Sequence, residues 1–175
     1  MRVSRPGADG EPLPDGAWVF RLSAVPKDFH ETGKINEAAF DLSDADKRAA
    51  VPRLSVWTED LTSPEQARGM LTNPARYELV LRLGVDEVRS LRPAPDAPQT
   101  PTLDVQWERR VTIDADGQAV PDTSPGAEGH AGITGLSRQS GEPRRRVASL
   151  KYELVKLVMA NDDCVVRLPT LSASD

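Results

Sequence analysis

Apolar and polar residues alternate along several short segments, and this pattern is typical of strands with one buried face. It occurs in three segments: residues 17–23, 77–83 and 103–111. In the clearest of them Leu79, Leu81 and Leu83 share one face. A short apolar run at 54–57 and another at 164–168 indicate two further strands. These segments predict a central sheet.

One late segment instead repeats its apolar residues at helical spacing. From Pro143 to Ala160 the stripe includes Leu150 and Leu154, which predicts one long helix. Ser43 followed by Asp46 is a helix-start signal, and so is the later segment Thr62-Ser63-Pro64-Glu65-Gln66 with its hydroxyl cap and its proline. We therefore expect short helices over 45–51 and before residue 73. Strands with short helices and one long late helix predict an α+β domain with a mixed or antiparallel sheet.

The length of 175 residues fits one domain, which we place at residues 17–168. Residues 1–16 are rich in Pro, Gly and Asp and predict a mobile leader. A polar segment at 27–34 predicts a loop or lid, and residues 169–175 are expected to form a polar tail. Asp114 to Gly117 predicts a hairpin turn rather than a calcium loop, because the later acidic ligands are missing.

Composition narrows the function classes. The net charge of −5 argues against general nucleic-acid binding, which needs clustered Lys and Arg. The single cysteine, Cys164, has no partner for a disulfide, and its acidic neighbours predict a raised pKa and a poor nucleophile. No apolar run reaches the ~18 residues of a membrane span, and no signal peptide opens the chain, so we expect a cytoplasmic protein without membrane contact.

The stretch from Gly129 to Leu136 combines His130 with three glycines. Histidine titrates near neutral pH, and glycine lets a backbone approach a ligand closely. His130 is therefore a candidate general acid or base, with Gly129 and Gly132 as candidate ligand-binding positions. The alternative, equally weighted, is a structural histidine bonded to a neighbouring carbonyl. The two histidines of the chain lie far apart in sequence, and no metal site is predicted.

Three arginines, Arg144, Arg145 and Arg146, stand at the start of the predicted long helix. Positive charge there opposes the helix dipole, and such a run is either a solvated face or an anion site. Because only residues 137–142 separate them from the glycine stretch, we expect His130 to face these arginines. Their charge would then keep the imidazole neutral at pH 7.

Three polar residues follow one another on early elements: Arg21 in Phe20-Arg21-Leu22, Ser55 in Leu54-Ser55-Val56, and Glu65. This order resembles the RES and ADP-ribosyltransferase-like proteins, which carry an arginine, a serine and a glutamate around NAD. The resemblance implies an NAD- or nucleotide-using enzyme with Arg21, Ser55 and His130 in one pocket. The glycine-arginine element of RES proteins is absent. The strand pattern alone predicts instead that Arg21 is an arginine exposed to solvent.

Short segments of the chain, Ala39-Phe40, Leu54-Ser55-Val56 and His130-Ala131-Gly132-Ile133, are also similar to small bacterial proteins of no assigned activity. Low apolar content, scattered prolines and an incomplete catalytic motif favour a non-enzymatic module. We therefore expect an accessory or interaction module of a bacterial multi-component system, which binds an acidic protein partner or a phosphate-bearing ligand. We predict no cofactor for such a module. NAD is expected only if the alternative hypothesis of an enzyme holds.

Overall fold

The computed structural model describes residues 2–25 and 34–171. Its strands are β1 (Trp18–Ala24), β2 (Leu54–Thr58), β3 (Tyr77–Gly84), β4 (Asp104–Trp107), β5 (Val111–Ile113), β6 (Ala119–Pro121), β7 (His130–Thr134) and β8 (Val165–Arg167). Its α-helices are α1 (Asp44–Arg48), α2 (Pro64–Gly69), α3 (Val85–Ser90) and α4 (Arg145–Met159). Short 3-10 turns lie between several of these elements.

Six strands form one sheet in the order β4-β7-β2-β1-β3-β8, and every pair is antiparallel. The predicted α+β class with one long late helix is confirmed. The strands predicted at 17–23 and 77–83 are present, whereas the segment 103–111 is two strands. The chain leaves the sheet after Trp107, and Val111 opens a separate β5–β6 hairpin. The turn predicted at Asp114 to Gly117 joins these two strands.

The two faces of the sheet are covered differently because the strand residues alternate between them. One face packs against α4, whose Leu150, Leu154 and Val158 are buried in the main core. The other face holds a smaller cluster that includes Phe20 and Trp57, covered by α2. The long helix thus covers the main core, as its apolar stripe predicts. It spans 145–159 rather than the predicted 143–160.

The two predicted short helices, α1 and α2, begin at capping boxes. Ser43 accepts a hydrogen bond from the Asp46 N–H, and the Asp46 side chain accepts one from the Ser43 N–H. Ser63 and Gln66 do the same at α2, which has Pro64 at its first turn. The start signals are therefore confirmed, but α1 covers only 44–48. Ala49 is already extended, which corrects the predicted helix over 45–51.

The structure corrects the expected mobile leader. Leu13 is only 1% exposed, and Val3 is also buried in the main core. The segment runs along β4: Leu13 N–H donates to the Val105 carbonyl (2.9 Å) and Trp107 N–H to the Glu11 carbonyl (2.8 Å). These bonds satisfy backbone groups at an otherwise open sheet edge. The composition of the segment does not predict these hydrogen bonds, because the segment is ordered by its contacts with β4 and not by an apolar pattern of its own.

The predicted loop or lid at 27–34 lies outside the described residues except for Lys34, and so does most of the polar tail. Within the tail, the Pro169 carbonyl accepts a hydrogen bond from Arg68 (2.8 Å). In the described part of the chain, no helix has both the length and the apolar character to cross a membrane.

Candidate functional site

A cavity of about 320 Å³ lies where β4 leaves the sheet and β7 enters it. Its walls come from the N-terminal segment, the β4–β5 connection, the segment after β6 and the first residue of β7. Its titratable lining residues are Asp9, Glu108, Arg109, Arg110, Asp122, Glu128 and His130. We refer to it as the Glu108 cleft. Its size falls at the small end of ligand pockets.

His130 is buried in the wall of this cleft, with 6% of its surface exposed. Its Nδ1 lies 3.2 Å from the Glu108 carbonyl oxygen, and its ring meets Trp57 edge-on at 5.3 Å between centroids. An Nδ1–H that donates to this carbonyl leaves Nε2 as an acceptor. Burial lowers the pKa of His130 to about 4, although the bond to Glu108 opposes the shift. The imidazole is therefore neutral at pH 7.

Glu108 lies beside this imidazole. One carboxylate oxygen, Oε2, is 3.6 Å from His130 Nδ1, and the other, Oε1, is 3.9 Å from Arg53 Nη1. Burial raises the pKa of Glu108 to about 7, against the lowering effect of Arg53. A carboxyl group that titrates near neutral pH in a cleft has the property needed for proton transfer or for pairing with a cation.

Two buried atoms of this pair lack a hydrogen-bond partner among the described residues: Glu108 Oε2 and His130 Nε2. Such atoms are rare in folded proteins, because an unsatisfied buried polar group costs about 1–3 kcal/mol. Two residues of the cleft wall thus carry buried polar atoms that the described part of the chain leaves unpaired, and these are the strongest indication of a ligand in the structure.

Arg53, the residue directly before β2, supports the cleft. It is buried, and its Nη1 binds Asp9 Oδ1 at 3.3 Å. Asp9 also accepts from the Arg109 N–H at 3.0 Å, so the N-terminal segment is held beside Glu108. The stem of Arg53 lies over Gly132, where an added Cβ would come within 2.5 Å of the Arg53 Cβ.

This contact explains the glycine at position 132. A side chain at 129 would likewise meet the Thr62 hydroxyl and come 3.0 Å from the Thr58 hydroxyl. Both predicted ligand-binding glycines, Gly129 and Gly132, are thus packed against protein side chains. Only His130 of the glycine stretch lines the cleft.

The three residues of the predicted enzyme pocket do not come together. Arg21 donates to the carbonyls of Ala39 (2.5 Å), Ser55 (3.0 Å) and Asp41 (3.4 Å) on the α4 side of the sheet. Its neighbour Ser55 points to the opposite face, the one that carries Trp57 and His130. Neither Arg21 nor Ser55 is among the described residues that line the Glu108 cleft.

The three arginines at the start of α4 also have different surroundings. Arg146 is fully buried; it pairs with Glu142 and donates to the carbonyls of Pro101 (2.9 Å), Gly135 (2.6 Å) and Ser137 (2.8 Å). Arg145 is exposed and binds Asp96 at 2.7 Å. Arg144 is exposed, and no partner for its guanidinium is found in the described part of the chain.

The expected contact between His130 and these arginines is therefore wrong. The turn does return the helix start to the glycine stretch, but Arg146 meets Gly135 at the far end of β7. His130 is the first residue of that strand. The five residues of the strand separate it from Gly135 by about 16 Å. The neutral state expected for His130 agrees with its lowered pKa, but the main cause is burial.

Glu108 is not recognisable as a site residue from its local sequence pattern. It ends an alternating strand pattern, in which a polar residue is ordinarily a solvated one. Its burial depends on Asp9 and Arg53, which are 99 and 55 positions away in sequence. The available signal was the combination of an acid and two arginines, Glu108-Arg109-Arg110, directly after Trp107.

No group of His, Cys, Asp and Glu within the described ranges could hold a metal ion. Burial raises the pKa of the Cys164 thiol, in the predicted direction. Comparisons of the chain with protein-family models, with curated proteins and with solved structures find no match.

Proposed function

We propose that this protein is a non-enzymatic interaction module that binds an acidic segment of a partner protein. The observation that carries the proposal is a basic surface formed by Lys47, Arg138, Arg144 and Lys151. These four side chains line two adjoining depressions between α1, the β7–α4 connection and α4. The wider role, as an accessory part of a bacterial multi-component system, stays a prediction.

The basic surface has an excess of positive charge in a chain whose net charge is −5. Two carboxylates, Glu37 and Asp41, line it together with the four cations. Lys151 pairs with Asp41, and Lys47 lies 3.6 Å from Asp44. Arg144 has no such pair in the described residues. A local field opposite to that of the whole chain attracts an acidic partner to one place and orientation.

Apolar side chains lie between these cations. Leu42, Leu136 and Val147 line the first depression, whose volume is about 510 Å³. An apolar floor with a charged rim is the usual composition of a protein-binding surface, in which apolar contacts give affinity and rim charges give specificity. An acidic segment with apolar residues between its carboxylates matches both features.

The enzyme alternative has less support. Arg21 is bound to three backbone carbonyls, and Ser55 points away from it. Arg146, the most buried of the three helix-start arginines, is bound to protein groups as well. Side chains held in this way are positioned to stabilise the fold and not to contact a nucleotide.

The test is fluorescence anisotropy with a labelled peptide of alternating Glu and Leu. We expect binding that weakens as salt is raised, because the contact is between exposed charges. The variants Lys47→Glu and Arg144→Glu each reverse one charge of the basic surface. Each should weaken binding by about fivefold or more, the effect of roughly 1 kcal/mol.

The matched control is Arg76→Glu, the same charge reversal at an exposed residue of a different element. It should leave affinity within about twofold. Equal weakening by all three variants would show only a general charge effect and would overturn the proposal. Displacement of the peptide by low concentrations of inorganic phosphate would instead show a phosphate site, and would also overturn it.

A further inference from the structure

We propose that the Glu108 cleft binds a small primary amine in its ammonium form, with the Glu108 carboxylate as counter-ion and His130 as a second acceptor. This site is separate from the basic surface and does not depend on the function proposed for it. The inference rests on the unpaired atoms of the cleft, on the charges of its lining and on its size.

The unpaired atoms determine what kind of group fits. Glu108 Oε2 accepts hydrogen bonds when the carboxyl is ionised. His130 Nε2 also accepts, because Nδ1 is 3.2 Å from the Glu108 carbonyl and carries the proton. Both atoms are buried without a partner among the described residues. A ligand must therefore bring N–H or O–H donors, and an ammonium group brings three.

The charges of the lining favour a cation. Four carboxylates line the cleft, from Asp9, Glu108, Asp122 and Glu128. They face two guanidinium groups of the lining, and a third, from Arg53, lies behind Asp9 and Glu108. Arg110 is already bound to Asp122 at 2.8 Å and to the Met70 carbonyl at 2.7 Å. An anionic ligand would therefore enter a region of excess negative charge, whereas an ammonium ion would reduce that excess.

The size of the cleft restricts the ligand to a small molecule. A volume of about 320 Å³ fits an amine with a short carbon chain rather than a nucleotide. Trp107, Pro121 and Ala127 supply apolar wall area for such a chain. An alkylammonium ion with a short aliphatic tail therefore matches the donors, the charge and the walls together.

The test uses n-butylamine, with n-butanol as a neutral molecule of the same shape and butyrate as an anion. NMR titration follows the His130 ring and the Glu108 side-chain carboxyl of the full chain. We expect saturable shifts of both groups with n-butylamine only. The amine should also lower the apparent pKa of Glu108, because a bound cation favours the ionised carboxylate.

Protonation of Glu108 competes with the amine. The charged groups that act on the pair are Asp9, Asp46, Arg53 and Arg110, and the pKa of Glu108 is raised to about 7. Between pH 8 and pH 6 the wild-type affinity should therefore fall about tenfold. This measurement needs no variant and tests the proposal even if substitutions in the cleft impair folding.

Glu108→Gln keeps the shape of the side chain and removes its charge. Its affinity for n-butylamine should be at least about tenfold lower and should not change between pH 6 and pH 8. Glu153→Gln, which removes the same charge from a half-exposed position on α4, should bind as the wild type does. Three results would each overturn the proposal: no saturable shift, equal binding of n-butanol, or unchanged affinity of Glu108→Gln.

Discussion

At the residue scale, the buried polar side chains of this protein fall into two kinds. Arg146 is completely paired with a carboxylate and three carbonyls. His130 is buried and Glu108 is half-buried, and each leaves one buried atom unpaired in the described structure. The first arrangement stabilises the fold, whereas the second adds a cost to folding that a ligand can remove.

Glu108 is expected to make stability depend on pH. Its folded pKa is about 7 against 4.5 for an ordinary glutamate, so ionisation is less favourable in the folded state than in the unfolded state. The contribution of Glu108 to the free energy of unfolding therefore decreases as pH rises from 4.5 through 7. Glu108→Gln should therefore stabilise the protein at pH 8 by roughly 1–3 kcal/mol, and this gain should shrink as pH falls toward 4.5.

Urea unfolding of both proteins from pH 5 to pH 8 measures this difference. His130 acts in the opposite direction, since its pKa falls from 6.5 to about 4 and its contribution is lost as pH drops through that window. This contribution is present in both proteins, so the difference between them isolates Glu108. A gain that is constant across the pH range would contradict the raised pKa.

At the element scale, the start of α4 depends on one residue of its arginine run. Arg146 joins the helix to the chain before it, through Glu142, and to the carbonyls of Pro101, Gly135 and Ser137. Its neighbour Arg145 has a side chain that is 67% exposed and a single surface pair with Asp96. Two adjacent arginines on one helix thus differ in every contact.

Arg146→Ala should destabilise the protein by about 3–5 kcal/mol, because it leaves a buried carboxylate and three carbonyls without their donor. Arg145→Ala should change stability by no more than about 0.5 kcal/mol, as expected for a surface pair. Chemical denaturation at pH 7 compares the two variants with the wild type. Similar effects of the two substitutions would contradict the structural role of Arg146.

At the scale of the whole molecule, the N-terminal segment completes the domain. It covers the β4 edge of the sheet, buries Leu13 in the main core and places Asp9 against Arg53 beside the cleft. The segment therefore shapes both the core and the candidate ligand site. A domain that began at residue 17 would have an open edge and an open cleft.

Leu13→Ala should destabilise the full chain by about 2–5 kcal/mol, the usual cost of a cavity left by a buried leucine. The control is Leu171→Ala, since Leu171 is 39% exposed and its loss should cost less than about 0.5 kcal/mol. Thermal and urea unfolding give both values. Unchanged stability of Leu13→Ala would mean that the segment does not pack as described.

The sequence by itself determines the local elements. The alternation at 77–83, the caps at Ser43 and Ser63 and the apolar stripe of α4 act between neighbours along the chain, so they can be read from spacing. From these elements the α+β class follows, because alternating strands and one amphipathic helix can bury their apolar faces only against each other.

Only the tertiary structure decides which polar residues share a site. The position of Glu108 beside His130 joins residues 22 apart in sequence, and Arg53 pairs with Asp9 across 44 positions. Arg21 and Ser55 lie on adjacent strands but point to opposite faces. Long-range pairing and burial set the pKa of a side chain and its partners, and neither has a local sequence signal.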